Sequence, residues 1–397
     1  MLETRIAKEL AYISQAGLAR RITELYFVNP AQAQDRTGKT YLVLASNNYL
    51  GFTHAPEVIE AAFQAALKFG TGSSGSRLTT GGTFIASELE KRLADFKHSE
   101  SALVFNTGYM TNLGVLYGLL QTGDVVFSDE LNHASIIDGC RISRCKVVVY
   151  KHNDMADLQR LLETEIVTGQ RFIVTDGVFS MDGDIADLPS LAVLKKQFNA
   201  FLIVDDAHGV GVIGNDGSGT ASHYGLTDVI DLQVGTLSKA LAAEGGYVAG
   251  KKILIDYLIN RSRPFIFSTA LAPATLAAAN AALLLLQTQA SKYLDSLRAN
   301  SRLMRRLLLE GGLNVVEGIT PIIPVVIGEA GLTMQFADRL KSKGILVSGI
   351  RPPTVPRGES RLRITVTAAH CEEQLRQAAQ IITALWQELK HGEKKEG

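Results

Sequence analysis

From Ala45 to Leu285 the chain alternates short runs rich in β-branched residues with segments of helical character, and this alternation limits the fold more than any other feature. S-A-L-V-F at Ser101, V-V-F-S-D at Val125, K-V-V-V-Y at Lys146, F-I-V-T-D at Phe172, F-L-I-V-D-D at Phe201 and D-L-Q-V-G at Asp231 read as strands. Helical segments such as Asp154 to Leu162 and Leu188 to Phe198 follow within a few residues. Continuous apolar strands separated by helices imply an α/β fold with a mainly parallel central sheet and helices on both faces. Ligands in such sheets bind beyond the carboxyl ends of the strands. Polar residues gather at those ends here: Asn106-Thr107-Gly108-Tyr109, Ser128-Asp129 with His133, Asp176 with Ser180, Asp205-Asp206 with His208, and Thr236 with Lys239.

The flanks differ in texture. Residues 1–44 read as an N-terminal segment, with an amphipathic helix through Leu10 and Ile13, an Arg20-Arg21 pair, and a hairpin about Asp35-Arg36-Thr37-Gly38 that straps the main domain. Residues 45–285 form the large α/β domain. Residues 286–397 are expected to form a smaller C-terminal α+β domain: a long helix through Leu307, strands at Ile322 to Ile327, Ile345 to Ile350 and Leu362 to Val366, and a last helix from Glu372 to Leu389. The polar tail His391 to Gly397 is expected to be disordered.

Composition narrows the partners. Forty basic residues balance forty acidic ones, which leaves no electrostatic footprint for nucleic acid or an anionic membrane. Cys140, Cys145 and Cys371 are too few and too irregular for a zinc site or a disulfide framework, so no metal is expected and a reducing compartment is. The first residues, M-L-E-T-R-I-A-K-E-L, do not read as a signal peptide. The most apolar window, Leu276 to Leu286, is much shorter than the roughly 20 residues that span a bilayer. A cytoplasmic location with small-molecule substrates is the expectation.

Three motifs carry the chemistry. In Asp231 to Gly250, Lys239 is flanked by Thr236, Ser238 and small alanines, and Gly245-Gly246 permits a sharp turn. An accessible lysine of lowered pKa can attack a carbonyl; the bland alternative is a solvated charge. In V-D-D-A-H-G, a carboxylate at a strand end calls for a cation, which a protonated pyridine nitrogen supplies, unless the two acids merely cap a turn. His208, three residues on, is placed to donate to a phenolic oxygen on such a ring. Asn106-Thr107-Gly108-Tyr109 opens a helix and suits a phosphate. The glycine-rich run Phe69 to Gly82 matches neither nucleotide-binding spacing and reads as a mobile loop near the site.

In order along the chain, S-N-N-Y-L-G at Ser46, D-E-L-N-H-A-S-I-I-D-G at Asp129, T-D-G-V-F-S-M-D-G-D at Thr175, V-D-D-A-H-G at Val204 and G-T-L-S-K-A at Gly235 resemble the α-oxoamine synthases, fold-type I pyridoxal-phosphate enzymes. The resemblance covers about residues 16 to 390. It implies pyridoxal 5'-phosphate joined to Lys239, with Asp205 on the pyridine nitrogen, His133 stacked on the ring, Ser180 and His208 at its oxygen, and Thr236, Gly108 and Tyr109 at the phosphate. It further implies a homodimer with shared active sites, in which Thr269 reaches the partner's phosphate. Asn47 and Arg363 match the positions that hold the amino-acid carboxylate, and Arg20 and Thr354 match substrate contacts. The stretch R-P-P-T-V-P-R-G-E-S-R-L-R at Arg351 points within the family to an acyltransferase of biotin biosynthesis, which joins L-alanine to a pimeloyl thioester, either pimeloyl-CoA or pimeloyl-carrier protein. The sister reaction of glycine with acetyl-CoA is the alternative. One departure is Ala86, where the family commonly has histidine. His54, His98, His152, His223 and His370 read as caps or surface residues, Trp386 as core, and Arg261 and Arg263 as helix-end charges.

Overall fold

The computed structural model describes residues 1–15, 18–20 and 22–396, with side chains through 390. Its central sheet has seven strands in the spatial order Ser101–Phe105, Gly246–Gly250, Leu232–Thr236, Phe201–Asp205, Arg171–Asp176, Val125–Asp129 and Lys146–Tyr150. The last five run parallel. Gly246–Gly250 is antiparallel to both of its neighbours, so the second half of the opening motif returns through the sheet beside Thr236.

Six of the seven strands bury both faces, as their apolar runs require, while the edge strand Lys146–Tyr150 leaves Val147 and Val149 exposed. Leu103, Val126, Ile203 and Val234 point into a core shared with helices Gly108–Leu119, Ala134–Ser143 and Lys252–Arg261. Their alternates Val104, Phe127, Leu202 and Val204 point to the opposite face. Gln233, the one polar side chain in its strand's apolar run, is buried and donates to the Lys97 carbonyl at 3.1 Å.

Outside this sheet the organisation departs from expectation. The hairpin of Gln32–Gln34 and Thr40–Val43 does not strap the large domain. Thr40–Val43 pairs in parallel with Ile345–Leu346, and Leu44 lies in the small domain's core with Phe336, Ile364 and Trp386. The division at 285/286 falls inside one long helix, Pro273–Glu310, whose backbone leaves helical φ/ψ at Gln289. The small domain adds an antiparallel sheet of Ile322–Gly328, Ser360–Thr365 and Ser348–Ile350. The tail expected to be disordered continues the last helix, Glu372–Glu396. Among the described residues, no helix is long and apolar enough to cross a membrane.

Candidate active site

A cavity of about 210 Å³ opens at the carboxyl ends of the parallel strands, lined by Thr107–Tyr109, His133, Ser135, Asp176, Ser180, Asp205, Ala207, His208, Thr236, Ser238 and Lys239. Pairing of the strands explains why these residues meet. Asp176 lies beside Asp205 and Asp205 beside Val234, so three strands deliver their polar ends to one level.

At one end of the cavity the helix Gly108–Leu119 presents its N-terminus, where backbone N–H groups and the helix dipole favour an anion. Thr107 caps it by accepting from Met110 N at 3.0 Å. A Cβ on Gly108 would come within 3.2 Å of Thr236 Cβ, so glycine is what lets the helix start lie against the Thr236 hydroxyl. That hydroxyl lies 2.7 Å from Ser238 Oγ and donates to the Gly245 carbonyl at 2.9 Å. Gly245, at φ 123°, takes a backbone shape that side-chain-bearing residues avoid, and so turns the chain into the Gly246 strand.

The floor is acidic. Asp205 is buried; Asn112 Nδ2 donates to its Oδ2 at 2.6 Å and Ala207 N to its Oδ1 at 3.0 Å. Asn112 also donates to Ser135 Oγ at 2.8 Å, and Ser135 Oγ lies 2.7 Å from His133 Nδ1, which ties the histidine to the carboxylate. Asp176 accepts the His133 backbone N–H at 2.7 Å, and burial and then the neighbouring Asp205 charge push its carboxyl well above the usual range. Asp206 does something else. It forms a buried ion pair with Lys97 at 3.1 Å and accepts from Thr220 N and Oγ1 at 2.9 Å each, fixing the turn after the strand. The acid pair of V-D-D therefore divides, one carboxylate to the cavity and one to the scaffold.

Two side chains overhang this floor. Lys239 is half-buried; burial brings its amine down to about 8, with Asp205 and Asp176 opposing that shift and Arg363 adding to it. His208 is held well below its ordinary range by burial and then by the charges of Lys239, Arg363 and His133, so its ring is neutral. Tyr49 OH stands 2.6 Å from His208 Nδ1, and burial raises the phenol to about 12. The phenol and Nδ1 thus share one hydrogen bond, and the phenol also lies 3.4 Å from Asn47 Oδ1.

Arg363 and Asn47, expected at the amino-acid carboxylate, are not among the residues that line the cavity and lie behind Ser180. Arg363 is buried and donates to Asn47 Oδ1 at 3.2 Å, to Thr365 Oγ1 at 3.1 Å and to the Ser180 carbonyl. Thr269, Arg20 and Thr354 do not line the cavity and are exposed. Thr269 offers its carbonyl to Asn106 Nδ2 at 2.7 Å and bridges Ser76, while the carbonyl beside Arg20, that of Ala19, accepts from Arg351 at 3.4 Å. Arg21 lies outside the described residues. The glycine-rich loop is pinned to the Thr269 segment, with Ser73 Oγ on the Ala270 carbonyl at 2.6 Å and Ala270 N on the Gly75 carbonyl at 2.9 Å. Ala86 is fully buried in the first turn of helix Phe84–Phe96.

Asn112, Ser135 and Tyr49 are not among the expected site residues, although Ser135 and Tyr49 stand inside the motifs D-E-L-N-H-A-S-I-I-D-G and S-N-N-Y-L-G. Asn112 has a signal, being an amide side chain one turn past Gly108; the contact of Tyr49 with His208 crosses 159 positions and no spacing announces it.

The model of the class I and II aminotransferases matches residues 39–382. The chain belongs to the class I and II aminotransferase family. It is a pyridoxal-phosphate enzyme of fold type I. An 8-amino-7-oxononanoate synthase of Lysinibacillus sphaericus is 47% identical over 374 residues, covering 94% of this chain and 96% of that protein. One from Trichlorobacter lovleyi is 49% identical over 385 residues, covering 97% and 98%. Among solved structures, a serine palmitoyltransferase from S. paucimobilis with bound pyridoxal phosphate–myriocin superposes with a TM-score of 0.91 at 31% identity, covering 97% of each chain. An 8-amino-7-oxononanoate synthase from Francisella tularensis superposes at 0.76 and 30%, covering 89% and 98%.

Proposed function

We propose that this family member condenses L-alanine with a pimeloyl thioester, on coenzyme A or acyl carrier protein, with loss of carbon dioxide, to give 8-amino-7-oxononanoate for biotin biosynthesis. The observation that carries the reading is near-full-length identity of 47–49% to synthases of that name, against 31% to the serine palmitoyltransferase. Backbone shape ranks them the other way, and sequence is the better guide to substrate because the fold is common to many reactions.

The cavity suits pyridoxal phosphate part by part. Gly108 and Tyr109 N–H groups with the Thr236 hydroxyl would hold the phosphate, His133 would cover the ring, and Asp205 would meet the pyridinium with a carboxylate already tethered by Asn112. Ser180 and His208 would serve the ring oxygen. When bound, the cofactor supplies an electron sink for the substrate α-carbon. The chain's own residues do the rest. Lys239, brought down to about 8, has a far larger neutral fraction near pH 7 than an ordinary lysine and in that form can both attack a carbonyl and take the α-proton. Arg363 and Asn47 would grip the carboxylate, the guanidinium matching its planar shape. Arg20 and Thr354 would contact the acyl substrate.

A homodimer with shared sites fits the surface. Ile59, Phe63 and Leu67 stand exposed on one face of helix Pro56–Phe69, with Phe69 and Phe84 nearby, and Thr269 is exposed beside them through the pinned glycine-rich loop. The test is a panel of L-alanine and glycine against pimeloyl and acetyl thioesters, with product mass as readout. Alanine with pimeloyl thioester should dominate; preference for glycine with acetyl-CoA would overturn the assignment.

A further inference from the structure

Outside the cavity, His152 joins two segments of the cavity wall. It follows the edge strand Lys146–Tyr150 and sits between two acids, with Nδ1 2.9 Å from Asp129 Oδ1 and Nε2 2.9 Å from Asp184 Oδ2. Carboxylates only accept, so both ring nitrogens must carry protons and the ring is an imidazolium. Burial opposes that charge, and the two carboxylates outweigh it, raising the ring to about 10. The histidine expected to be a cap or surface residue is thus a partly buried cation shared by two anions.

Each acid belongs to a different segment of the active site. Asp129 ends its strand and also accepts from Leu131 N at 2.9 Å, shaping the turn that leads to His133. Asp184 closes the turn that carries Ser180, where Phe179 N donates to the Asp184 carbonyl at 3.0 Å and Gly183 N to that of Phe179 at 2.8 Å. The Phe179 ring packs edge-on against His152 with centroids 4.4 Å apart. Asn153 repeats the bridge, donating from its backbone to Asp129 Oδ2 at 3.0 Å and from its side chain to Asp184 Oδ2 at 2.9 Å. Glu130 accepts the His152 backbone N–H at 2.8 Å, holding the ring's own segment in place.

We propose that His152 is a positioning residue of the active site, a cationic clip that fixes the His133 turn and the Ser180 turn relative to each other. It touches neither cofactor nor substrate. Without it, Asp129 and Asp184 would face one another with Asn153 as their only shared partner among the described residues, and the two turns would separate. This rests on the cofactor class alone and not on which thioester is used.

The experiment compares wild-type holoenzyme with H152Q and D184N. Readouts are the circular dichroism that the bound cofactor acquires from its surroundings, kcat, and KM for L-alanine. A misplacement of His133 and Ser180 by about 1 Å should lower kcat by about 10- to 100-fold and shrink the cofactor dichroism. KM for alanine should change less than kcat, because Arg363 keeps its Asn47 and Thr365 partners when the Ser180 carbonyl shifts. D184N should shift both signals in the same direction by less, and the double variant should be no worse than H152Q, since both break one bridge. An H152Q holoenzyme with wild-type kcat and dichroism overturns the proposal whatever its melting temperature, as does a D184N effect fully additive to that of H152Q. Should H152Q not fold, unchanged dichroism and kcat in D184N overturn it.

Discussion

Replacing Gly246 with alanine should close the phosphate end of the cavity from behind. A Cβ there would stand 2.6 Å from both the backbone N and Cα of Gly108 and 2.4 Å from Thr111 Oγ1. Ordinary contact begins near 3.4 Å, so the start of helix Gly108–Leu119 must retreat by about 0.8 Å. The strand Gly246–Gly250 cannot readily yield instead, because it is bonded on both sides, to Thr236 and to Phe105. Overpacking of this kind costs about 1–3 kcal/mol, and misaiming a donor at a charged phosphate costs about 1.5–3 kcal/mol. The second figure corresponds to a cofactor dissociation constant about 10- to 100-fold higher. Titration of apoenzyme with pyridoxal phosphate, followed by circular dichroism, measures it. G225A is the control for a glycine-to-alanine cost without a clash, since Gly225 has positive φ (67°) and a Cβ there meets nothing within 4 Å. It should lose stability through strain without weakening the cofactor. A G246A protein that binds cofactor as tightly as wild type refutes the cradle geometry.

Borohydride reduction of the holoenzyme followed by peptide mapping should place the cofactor adduct on Lys239, and an adduct on another lysine would remove that residue from the chemistry. K97M should lower the unfolding free energy by about 3–5 kcal/mol by leaving buried Asp206 without its cation; K97M/D206N, measured by the same urea titration, should recover much of it. His370 is depressed to about 4, chiefly by burial, against backbone partners at Val43 and Thr367. Its neutral ring thus contributes stability above the unfolded value of about 6.5, and on the order of 3 kcal/mol is lost as pH falls toward 4; H370N should flatten that limb of the unfolding profile. His152 has the opposite sign: raised to about 10, it stabilises fully below about 6.5 and loses its contribution as pH rises through 10, so the alkaline slope of wild type should be missing from H152Q.

The central sheet was legible because its inner strands are buried on both faces and read as apolar runs, and the exposed edge strand Lys146–Tyr150 is β-branched as well. Its antiparallel member was harder to see, since G-Y-V-A-G carries two glycines where a strand signal would stand. They are there for close approach, Gly246 to the helix start and Gly250 to Asp231 and Leu232. The cavity's polar residues were visible as strand-end clusters, but their partners were not. Asn112 reaches Asp205 over 93 positions and Tyr49 reaches His208 over 159. Spacing encodes neither contact. The second acid of V-D-D needed Lys97, which sits at a helix end and looks like any surface charge until the fold buries it. Similarly, the pairing of Thr40–Val43 with Ile345–Leu346 joins segments some 300 residues apart, and no local pattern announces it.

The 38-residue helix Pro273–Glu310 is roughly 57 Å of hydrogen-bonded rod. Its first half is built into the large domain's core through Leu276, Leu283 and Leu286, and its second half supplies Met304 and Leu308 to the small domain's core. Between them Arg298 grips the Gly214 carbonyl at 2.6 Å, in the same glycine-rich turn that begins at Asp206 and carries His208. Leu294 and Leu297, past the break in helical geometry at Gln289, still pack in the large domain's core, so one continuous element ties the turn that carries His208 to the domain that carries Arg363.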